Sequence, residues 1–274
     1  MEFDPQAFEG TAEYYSIGRP PYSDQLADVM KQQLSLDGAG LLLDVGCGPG
    51  VLELELATLF LQVVAVDPEL GMLREGERRC ELAGIQNVRW IQGVAERIPS
   101  LGVEPCQVVA FGQSFHRVRQ LEVADIVYEL LERGGFLVLI SNQVNERSRP
   151  DGPGYPDIPA AAIEDLIISY LGESTRHYLA TWNEGMPARF EDTLLQTRFG
   201  GSRTVYAPGR PDLVRDVDTV VANYFSMSYS APRLFGDRHI EFELDLRHLL
   251  FEHSPSGLFW DWPGDTELVI ARKP

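Results

Sequence analysis

The sequence predicts an α/β protein with a doubly wound, mostly parallel sheet that carries helices on both faces. Between residues 41 and 140, short apolar runs alternate with amphipathic stretches, which is the pattern of a parallel sheet covered by helices. A glycine-rich turn follows the first apolar run directly. With 274 residues, 44% of them apolar, the chain has enough material for one large domain or for one domain with a sizeable insertion.

The predicted strands and the helices between them follow from these apolar runs. Leu52, Leu54 and Leu56 alternate with glutamates as in a strand, but no parallel crossover fits between them and the first strand, so we predict a helix. A second helix carries Ala124, Val127, Tyr128 and Leu131 on one face, and Gly134-Gly135 is predicted to end it. The five predicted strands are residues 41–45, 62–66, 88–92, 107–111 and 136–140.

After residue 140 the pattern changes. Residues 148–159 are rich in proline and glycine and predict a loop, followed by a helix with an apolar stripe from Ile163 to Leu171 that Gly172 closes. Residues 141 to about 200 are therefore expected to lie over the sheet as an insertion. Residues 219–232 lack charge, which fits either a buried core helix and turn or one wall of an apolar pocket. Residues 266–271 are predicted to form a final strand.

Composition excludes several classes of protein. The chain has 41 acidic and 23 basic residues, a net charge of −18, and such acidity disfavours a nucleic-acid partner. Its apolar runs are too short to cross a membrane, and the acidic N-terminus does not resemble a secretory signal. The three cysteines and five histidines lack metal or redox spacing, so we predict buried reduced thiols, no metal and a cytoplasmic location.

The most informative segment is LLLDVGCGPG at residues 41–50, a strand followed by glycines at 46, 48 and 50. Such glycines let a ligand lie against bare main chain. The dinucleotide fingerprint requires glycine at 51, where this chain has Val51, and Asp44 would repel a pyrophosphate but suits an ammonium group. Asp67, at the tip of the second strand, is placed to accept hydrogen bonds from a ribose. The segment therefore indicates a nucleoside with a cationic amino-acid tail.

LLLDVGCGPG followed by VVAVDPELGML resembles the class I S-adenosylmethionine-dependent methyltransferases. The resemblance implies a Rossmann-like, seven-stranded sheet with a helical lid inserted after the fifth strand, S-adenosyl-L-methionine as cofactor and S-adenosyl-L-homocysteine as product. It implies that Asp44, Gly46, Cys47 and Gly48 line the methionine part of the cofactor, and that Asp67 takes the ribose.

Four shorter matches extend the resemblance. GVAERIP at 93–99 resembles the loop that contacts adenine; Val94 stands where the family has an acid, so the contact is assigned to Ala95 and Glu96. VAFGQSFHRV at 109–118 resembles the small-molecule and quinone-type branch, similar to methyltransferase type 11, and LLERGGFLVLI at 130–140 resembles the fifth strand. Tyr14-Tyr15 and Arg19-Pro20-Pro21-Tyr22 resemble the branch's cofactor lid.

His116 is the candidate catalytic residue. It follows the fourth strand, where an α/β sheet opens its crevice, and an intrinsic pKa of about 6.5 suits a general base; the alternatives are a substrate contact or a structural hydrogen-bonding histidine. Arg19 is a candidate for the cofactor carboxylate, with an acidic substrate or a surface position as alternatives. The other predicted cofactor contacts are Pro68, Gln113 and Tyr15, and the predicted substrate pocket comprises Tyr14, Tyr22, Ser114, Phe115 and Tyr224.

The sequence thus predicts a methyltransferase for a small, apolar or aromatic metabolite, as a monomer or homodimer. The alternatives are a protein of this fold without methyl transfer, such as a cyclase or a binding module, and a protein or RNA methyltransferase. The expected layout is a lid at 1–36, a cofactor-binding core at 37–140, a substrate-covering insertion with the sixth strand at 141–235, and a C-terminal helix and last strand at 236–274.

Overall fold

A computed structural model describes residues 7–143, 149–181 and 189–274 of the chain, and it confirms the predicted fold class. A mostly parallel sheet of seven strands forms the centre of the molecule, in the order β3-β2-β1-β4-β5-β9-β6. A separate two-stranded sheet pairs β7 with β8. The strands are β1 (Leu41–Val45), β2 (Gln62–Asp67), β3 (Val88–Gln92), β4 (Cys106–Gly112), β5 (Leu131–Gln143), β6 (Arg203–Ala207), β7 (Val214–Asp216), β8 (Leu258–Trp260) and β9 (Asp265–Arg272).

Helices cover both faces of the central sheet and continue into the segment after β5. Those that alternate with the first five strands are short, from six to thirteen residues. In the described residues the helices are α1 (Ala12–Gly18), α2 (Leu26–Leu34), α3 (Val51–Leu56), α4 (Leu70–Leu82), α5 (Gln120–Leu130), α6 (Ala160–Leu171), α7 (Glu173–Thr181), α8 (Phe190–Leu195), α9 (Val217–Phe225), α10 (Pro232–Phe235) and α11 (His239–His253).

The strand order creates a crevice at the carboxyl ends of β1 and β4. β1 pairs in parallel with β2 on one side and with β4 on the other, while β9 runs antiparallel to both β5 and β6. The chain therefore builds outward from β1 to β3, returns, and builds in the other direction from β4. Ligands of open α/β sheets bind outside the strand ends at such a reversal.

Two apolar layers hold the helices against the sheet. One face buries residues such as Val66, Phe111 and Leu139 with α5, and the other buries residues such as Leu42, Val108 and Ile140 with α2 and α3. Both faces of the parallel strands are thus covered, which explains why their sequences are continuously apolar instead of alternating.

A third apolar cluster lies in the segment that follows β5. Ile163 and Ile167 of α6 pack with Phe225 of α9 and with Phe242 and Leu246 of α11. The predicted stripe of α6 is therefore a packing surface, and Gly172 caps that helix as expected. The uncharged stretch around residues 219–232 contains α9, which confirms the predicted buried helix.

The N-terminal segment is fastened over the strand ends. Gly18 at the end of α1 touches α9 so closely that a Cβ there would lie 2.1 Å from the backbone nitrogen of Asn223. Asn142 at the end of β5 donates to the carbonyl of Pro21 over 2.9 Å, and the Ser23 amide donates to the hydroxyl of Thr266 over 2.8 Å. These contacts bring α1 and the following turn over the crevice.

The structure corrects some predicted boundaries. Residues 51–56 form a helix, as predicted from context, and β2, β4 and β9 are each longer than predicted by one residue or two. α5 ends at Leu130, and β5 begins at Leu131, so Gly134-Gly135 does not end the helix as predicted. Gly134 is left-handed with φ of 80°, and its amide donates to Lys273 at the irregular start of β5. Residues 1–6 of the predicted lid, and residues 144–148 and 182–188 of the predicted insertion, lie outside the described residues; residue 148 is also the first residue of the predicted loop.

In the described parts of the chain, no helix combines the length and the apolar character that crossing a bilayer requires. Within the same residues, no group of three or more His, Cys, Asp or Glu side chains is arranged to hold a metal ion.

Candidate active site

The turn between β1 and α3 depends on its glycines in different ways. Gly46, Gly48 and Gly50 all have positive φ, between 54° and 75°. A Cβ at Gly46 would lie 2.6 Å from the Cβ of Ser114, so this glycine permits close packing of the β1 and β4 loops. A Cβ at Gly48 would meet nothing within 4 Å, so that part of the main chain faces open space. The turn therefore offers bare backbone to a ligand, as predicted.

Asp67 links this turn to the loop after β2. Its Oδ2 accepts the amide of Gly48 and its Oδ1 accepts the amide of Glu69, each over 2.9 Å. Burial raises the pKa of Asp67 to about 6. Each carboxylate oxygen has a second lone pair available, so Asp67 fixes the two loops and can still accept hydrogen bonds from ribose hydroxyls.

The main cavity of the crevice has a volume of about 480 Å³ and lies over these loops. One end is formed by the glycine turn, by Asp67 and Pro68, and by Val94, Ala95 and Glu96 of the loop after β3. Tyr15, Arg19, Gln113, Ser114 and His116 line its middle. The structure thus brings to one cavity most of the residues that the sequence indicates, from five separate segments.

A second cavity of about 260 Å³, here called the inner cavity, lies between β1 and the N-terminal turn. It shares Tyr15, Arg19, Gly46 and Gln113 with the main cavity, so the two adjoin at the glycine turn. Its remaining walls include three predicted residues, Asp44, Cys47 and Tyr22, and four that the sequence did not indicate, Asn142, Asn223, Asp261 and Trp262.

Unpaired polar atoms in the inner cavity fit the amino-acid end of the predicted cofactor. Both carboxylate oxygens of Asp44 and the Nε of Arg19 are buried without a hydrogen-bond partner in the described part of the chain. Arg19 is held by its Nη2, which donates to the Ser226 carbonyl over 3.1 Å, and by the ring of Tyr15, 4.8 Å from its guanidinium carbon. Orphaned buried groups are costly, and an α-ammonium and an α-carboxylate would satisfy Asp44 and Arg19 respectively.

Glu53 is a further buried acid that the sequence did not single out. It lies in α3 and is fully buried. Burial, and then the charge of the nearby Glu53, raise the pKa of Asp44 well above its usual range. The sequence carries only one signal that Glu53 is buried. Glu53 follows Leu52 in a six-residue helix that buries Leu52 and Leu56, so Glu53 borders the face of the helix that turns inward.

The loop after β4 has a strained backbone at the crevice. Gln113 has φ of 52° without being glycine, and its amide donates to the Ile140 carbonyl over 2.9 Å. Ser114 turns inward and donates to the carbonyl of Val45. Residues held in this region of φ and ψ cluster at functional sites, and here the strain points the Gln113 side chain toward both cavities.

His116 lines the main cavity but has an unusual environment for a base. Burial lowers its pKa to about 4, and the nearby positive charges of Arg117 and Arg19 act in the same direction. The imidazole is therefore neutral near pH 7, which is the form that accepts a proton, but its affinity for that proton is far below that of an ordinary histidine. The pKa of about 6.5 assumed from the sequence is corrected by this environment.

Part of the wall of the main cavity is apolar and aromatic. Tyr178 and Leu179 of α7 and Met227 and Tyr229 after α9 line it, together with Phe8. Glu164 of α6 and Arg117 add charged groups to the lining. Arg117 lies near enough to Asp67 to interact with its charge, and its guanidinium carbon lies 4.5 Å from the ring centre of Phe8. The sequence prediction that residues 219–232 form one wall of a pocket agrees with Met227 and Tyr229.

Three predicted substrate contacts pack against other side chains: Phe115 and Tyr224 are buried, and Tyr14 is partly buried. Phe115 is 2% exposed and packs on Phe111 and Phe190, Tyr14 packs on Phe225, and Tyr224 is buried in the third apolar cluster. None of the three lines either cavity described above. Their role as substrate contacts stays a prediction, because the sequence does not show to which side each ring turns.

The fold, taken with a family match and related sequences, identifies the core of this chain as a class I S-adenosylmethionine-dependent methyltransferase domain. Residues 42–135 of the chain match the family model described as a methyltransferase domain, which spans β1 to the start of β5. This match confirms the predicted family and, with it, S-adenosylmethionine as the cofactor.

Related proteins agree with the family assignment. An uncharacterised methyltransferase of Schizosaccharomyces pombe is 30% identical over 50% of this chain and 52% of its own length. A probable S-adenosylmethionine-dependent methyltransferase of Saccharomyces cerevisiae is 25% identical over 73% of this chain and 67% of its own length. The chain thus spans about half the length of the first relative and about two thirds of the second.

A solved structure from Galdieria sulphuraria, provisionally assigned as a sarcosine dimethylglycine methyltransferase, covers 98% of this chain and 98% of its own with a TM-score of 0.53. At 13% identity this likeness shows a shared fold, which extends over the segments that follow β5 as well as the core.

Proposed function

We propose that this protein transfers a methyl group from S-adenosylmethionine to a small, apolar or aromatic metabolite. The observation that carries the proposal is the main cavity, which runs without interruption from the cofactor loops to a pocket roofed by aromatic and apolar side chains. Such a combination of an apolar enclosure with a few polar groups is typical of small-molecule sites.

The roof supports a small acceptor. Tyr178, Leu179, Met227 and Tyr229 line the same cavity as the predicted cofactor loops, which favours an acceptor small enough to enter that cavity. Burial raises the pKa of Tyr229 to about 12, so its phenol stays neutral and able to donate a hydrogen bond to a bound molecule. The charge of −18 further disfavours a nucleic-acid acceptor.

The proposed division of labour follows the segments of the chain. Residues 1–36 close over the cofactor, 37–140 bind it, and 141–235 cover the acceptor and supply the sixth strand. Residues 236–274 complete the core with α11 and β9. Arg19, Tyr15 and Asp44 would hold the amino-acid end of the cofactor, and Asp67 with Pro68, Ala95 and Glu96 would hold the adenosine.

Catalysis would depend mainly on position. When bound, the cofactor supplies a methyl group that its positively charged sulfur already activates. The protein orients the acceptor in line with that methyl, which can lower a barrier by about 7–11 kcal/mol at most, and its lid keeps out water. His116, neutral at pH 7, would accept a hydrogen bond from the acceptor, or its proton where the acceptor must lose one.

The experiment that tests this function uses an isotope-labelled methyl donor and a metabolite extract. After incubation with the protein, mass spectrometry of the small-molecule fraction should show at least one compound that gains the labelled methyl. A protein boiled before incubation is the control. Label confined to protein or RNA in the extract would contradict a small-molecule acceptor, and a complete absence of transfer despite cofactor binding would contradict methyl transfer itself.

A further inference from the structure

Asp44 and Glu53 form a pair of carboxyl groups, and among the described residues neither makes a salt bridge. Asp44 is 1% exposed and Glu53 is 0% exposed, and Asp44 lines the inner cavity. All four carboxylate oxygens lack a hydrogen-bond donor within the described residues. Two ionised carboxylates cannot hydrogen-bond to each other, but the pair can do so when one of them carries a proton.

The neighbouring groups leave this pair under strong negative potential. Asp67, at the end of β2, adds a third carboxylate, while Arg79 of α4 acts favourably on Glu53 from a distance. Arg79 itself is engaged elsewhere, since its Nη1 donates to the Pro49 carbonyl over 2.6 Å. The other titratable neighbours are Cys47, Cys80 and Tyr22, and the pKa of each is raised, first of all by burial, so all three are neutral near pH 7.

The pKa values of the pair agree with this geometry. Burial raises the pKa of Glu53 to about 7 and that of Asp44 well above its usual range. A cation placed beside Asp44 would reverse this effect, because an opposite charge within a few ångströms favours the ionised form of a carboxyl.

We propose that Asp44 and Glu53 share a proton in the absence of cofactor, and that the α-ammonium of the cofactor displaces this proton into solvent when it binds against Asp44. Glu53 is then a positioning residue, which acts on the cofactor through Asp44. This inference rests on the proposed function, since it requires that the inner cavity receives the amino-acid end of the cofactor.

The proposal has a consequence for selectivity. Near neutral pH a cation in the inner cavity favours full ionisation of the pair, whereas nucleosides without an amino-acid tail would leave the proton in place. Affinity for the cofactor should rise with pH by up to about tenfold per unit around neutrality, because the competing proton is lost from the free protein.

Calorimetric titration with S-adenosylhomocysteine measures the released proton. The titration is run at pH 7 in two buffers of different ionisation enthalpy, phosphate and Tris, and the difference in heat gives the number of protons exchanged. We expect release of about half a proton to one proton per molecule bound. 5′-Methylthioadenosine, which has the same nucleoside without the amino-acid tail, is the control ligand and should release almost none.

Variants then assign the proton to the pair. Glu53→Gln should abolish most of the proton release and flatten the pH dependence of affinity, whereas Glu55→Gln, on the exposed side of the same helix, should leave both unchanged. Release of the same number of protons from Glu53→Gln, or equal release with both ligands in the original protein, would overturn the proposal. Failure to bind either S-adenosylhomocysteine or S-adenosylmethionine would instead contradict the proposed function.

Discussion

At the scale of single residues, Asp67 has the most direct role in the site. It joins the glycine turn to the loop after β2 by two backbone hydrogen bonds and borders the main cavity. The same carboxylate is expected to accept hydrogen bonds from the ribose of the cofactor. Its removal therefore affects both the shape of the loops and the contact with the ligand.

Asp67→Ala should weaken S-adenosylmethionine binding by about 1.5–3 kcal/mol for each charge-assisted hydrogen bond that is lost. Calorimetric titration measures this difference. Asp67→Asn, which keeps the shape and one accepting oxygen, should have a smaller effect. An unchanged affinity in Asp67→Ala would contradict the role of this residue in binding ribose.

His116→Ala should lower turnover while cofactor affinity stays nearly the same, because His116 lies beyond the cofactor loops. The pH dependence is a sharper test. With a pKa of about 4, His116 is already deprotonated above about pH 5, so its ionisation should add no step to the rate profile near neutrality. A rise in turnover centred near pH 6.5 that disappears in His116→Ala would contradict the buried environment described for this histidine.

The sequence located some residues well, namely those that act through their backbone or through their position at the end of a strand. It was less successful for residues whose place depends on the direction of the side chain. Gly46, Gly48 and Asp67 are determined by a local turn, and the structure places them as expected in the crevice. Phe115 and Tyr224 were predicted near the site but turn into the core, which depends on packing between distant segments. Glu53 was recognised as a candidate site residue only from the structure, which places it beside Asp44.

At the scale of elements, the contact between α1 and α9 fixes the N-terminal segment beside the crevice, where we propose that it acts as a lid. Gly18 is needed there because any side chain would overlap the backbone of α9. Arg215 in the middle of β7 strengthens the junction, since it donates to the carbonyls of Gly18 and Thr219 and pairs with Asp261 over 2.9 Å. The lid is thus attached to the segment that also lines the inner cavity.

Gly18→Ala should lower the free energy of unfolding by about 1–3 kcal/mol, since the added methyl overpacks the α1–α9 contact. Chemical denaturation measures the change. Ser16→Ala, on the same helix and without such a contact, should stay within about 0.5 kcal/mol. Equal stabilities for Gly18→Ala and the original protein would show that α1 can move away from α9 at little cost.

The elements of the core were predictable because their patterns are local. Each of the first five strands was recognised from its apolar run, and α3 was assigned correctly because a parallel crossover requires it. The end of α5 and the start of β5 were not predicted correctly. Leu131 leaves the helix to pair with Cys106, and the Gly134 amide donates to the Lys273 carbonyl, so both boundaries depend on partners that are distant in sequence. For the segment after β5, the sequence predicted helices but not how those helices pack against α11.

At the scale of the whole molecule, the negative charge is concentrated where the site lies. Residues 1–70 contain twelve acids and two bases, and three of those acids, Asp44, Glu53 and Asp67, are buried around the crevice. A negative field of this kind favours a cationic ligand over a neutral one. It also makes the protein without its cofactor sensitive to pH.

The protein without cofactor should become less stable as the pH rises from about 5 to about 7.5. The raised pKa values of Glu53, about 7, and Asp67, about 6, mean that the folded state holds protons that the unfolded state has released. Their stabilisation is complete below the usual carboxyl pKa and is lost as the pH passes the raised values. Denaturation at several pH values measures it, and S-adenosylhomocysteine should remove much of the decline. A free energy of unfolding that increases across this interval would contradict the account.

The central claim is that the crevice binds a nucleoside with a cationic amino-acid tail and not a dinucleotide. Side-by-side calorimetric titration with S-adenosylmethionine and NAD tests it most directly. We predict saturable binding of S-adenosylmethionine at one site per chain and no measurable binding of NAD under the same conditions. Tight binding of NAD without binding of S-adenosylmethionine would contradict the assignment of Asp44, Asp67 and the glycine turn.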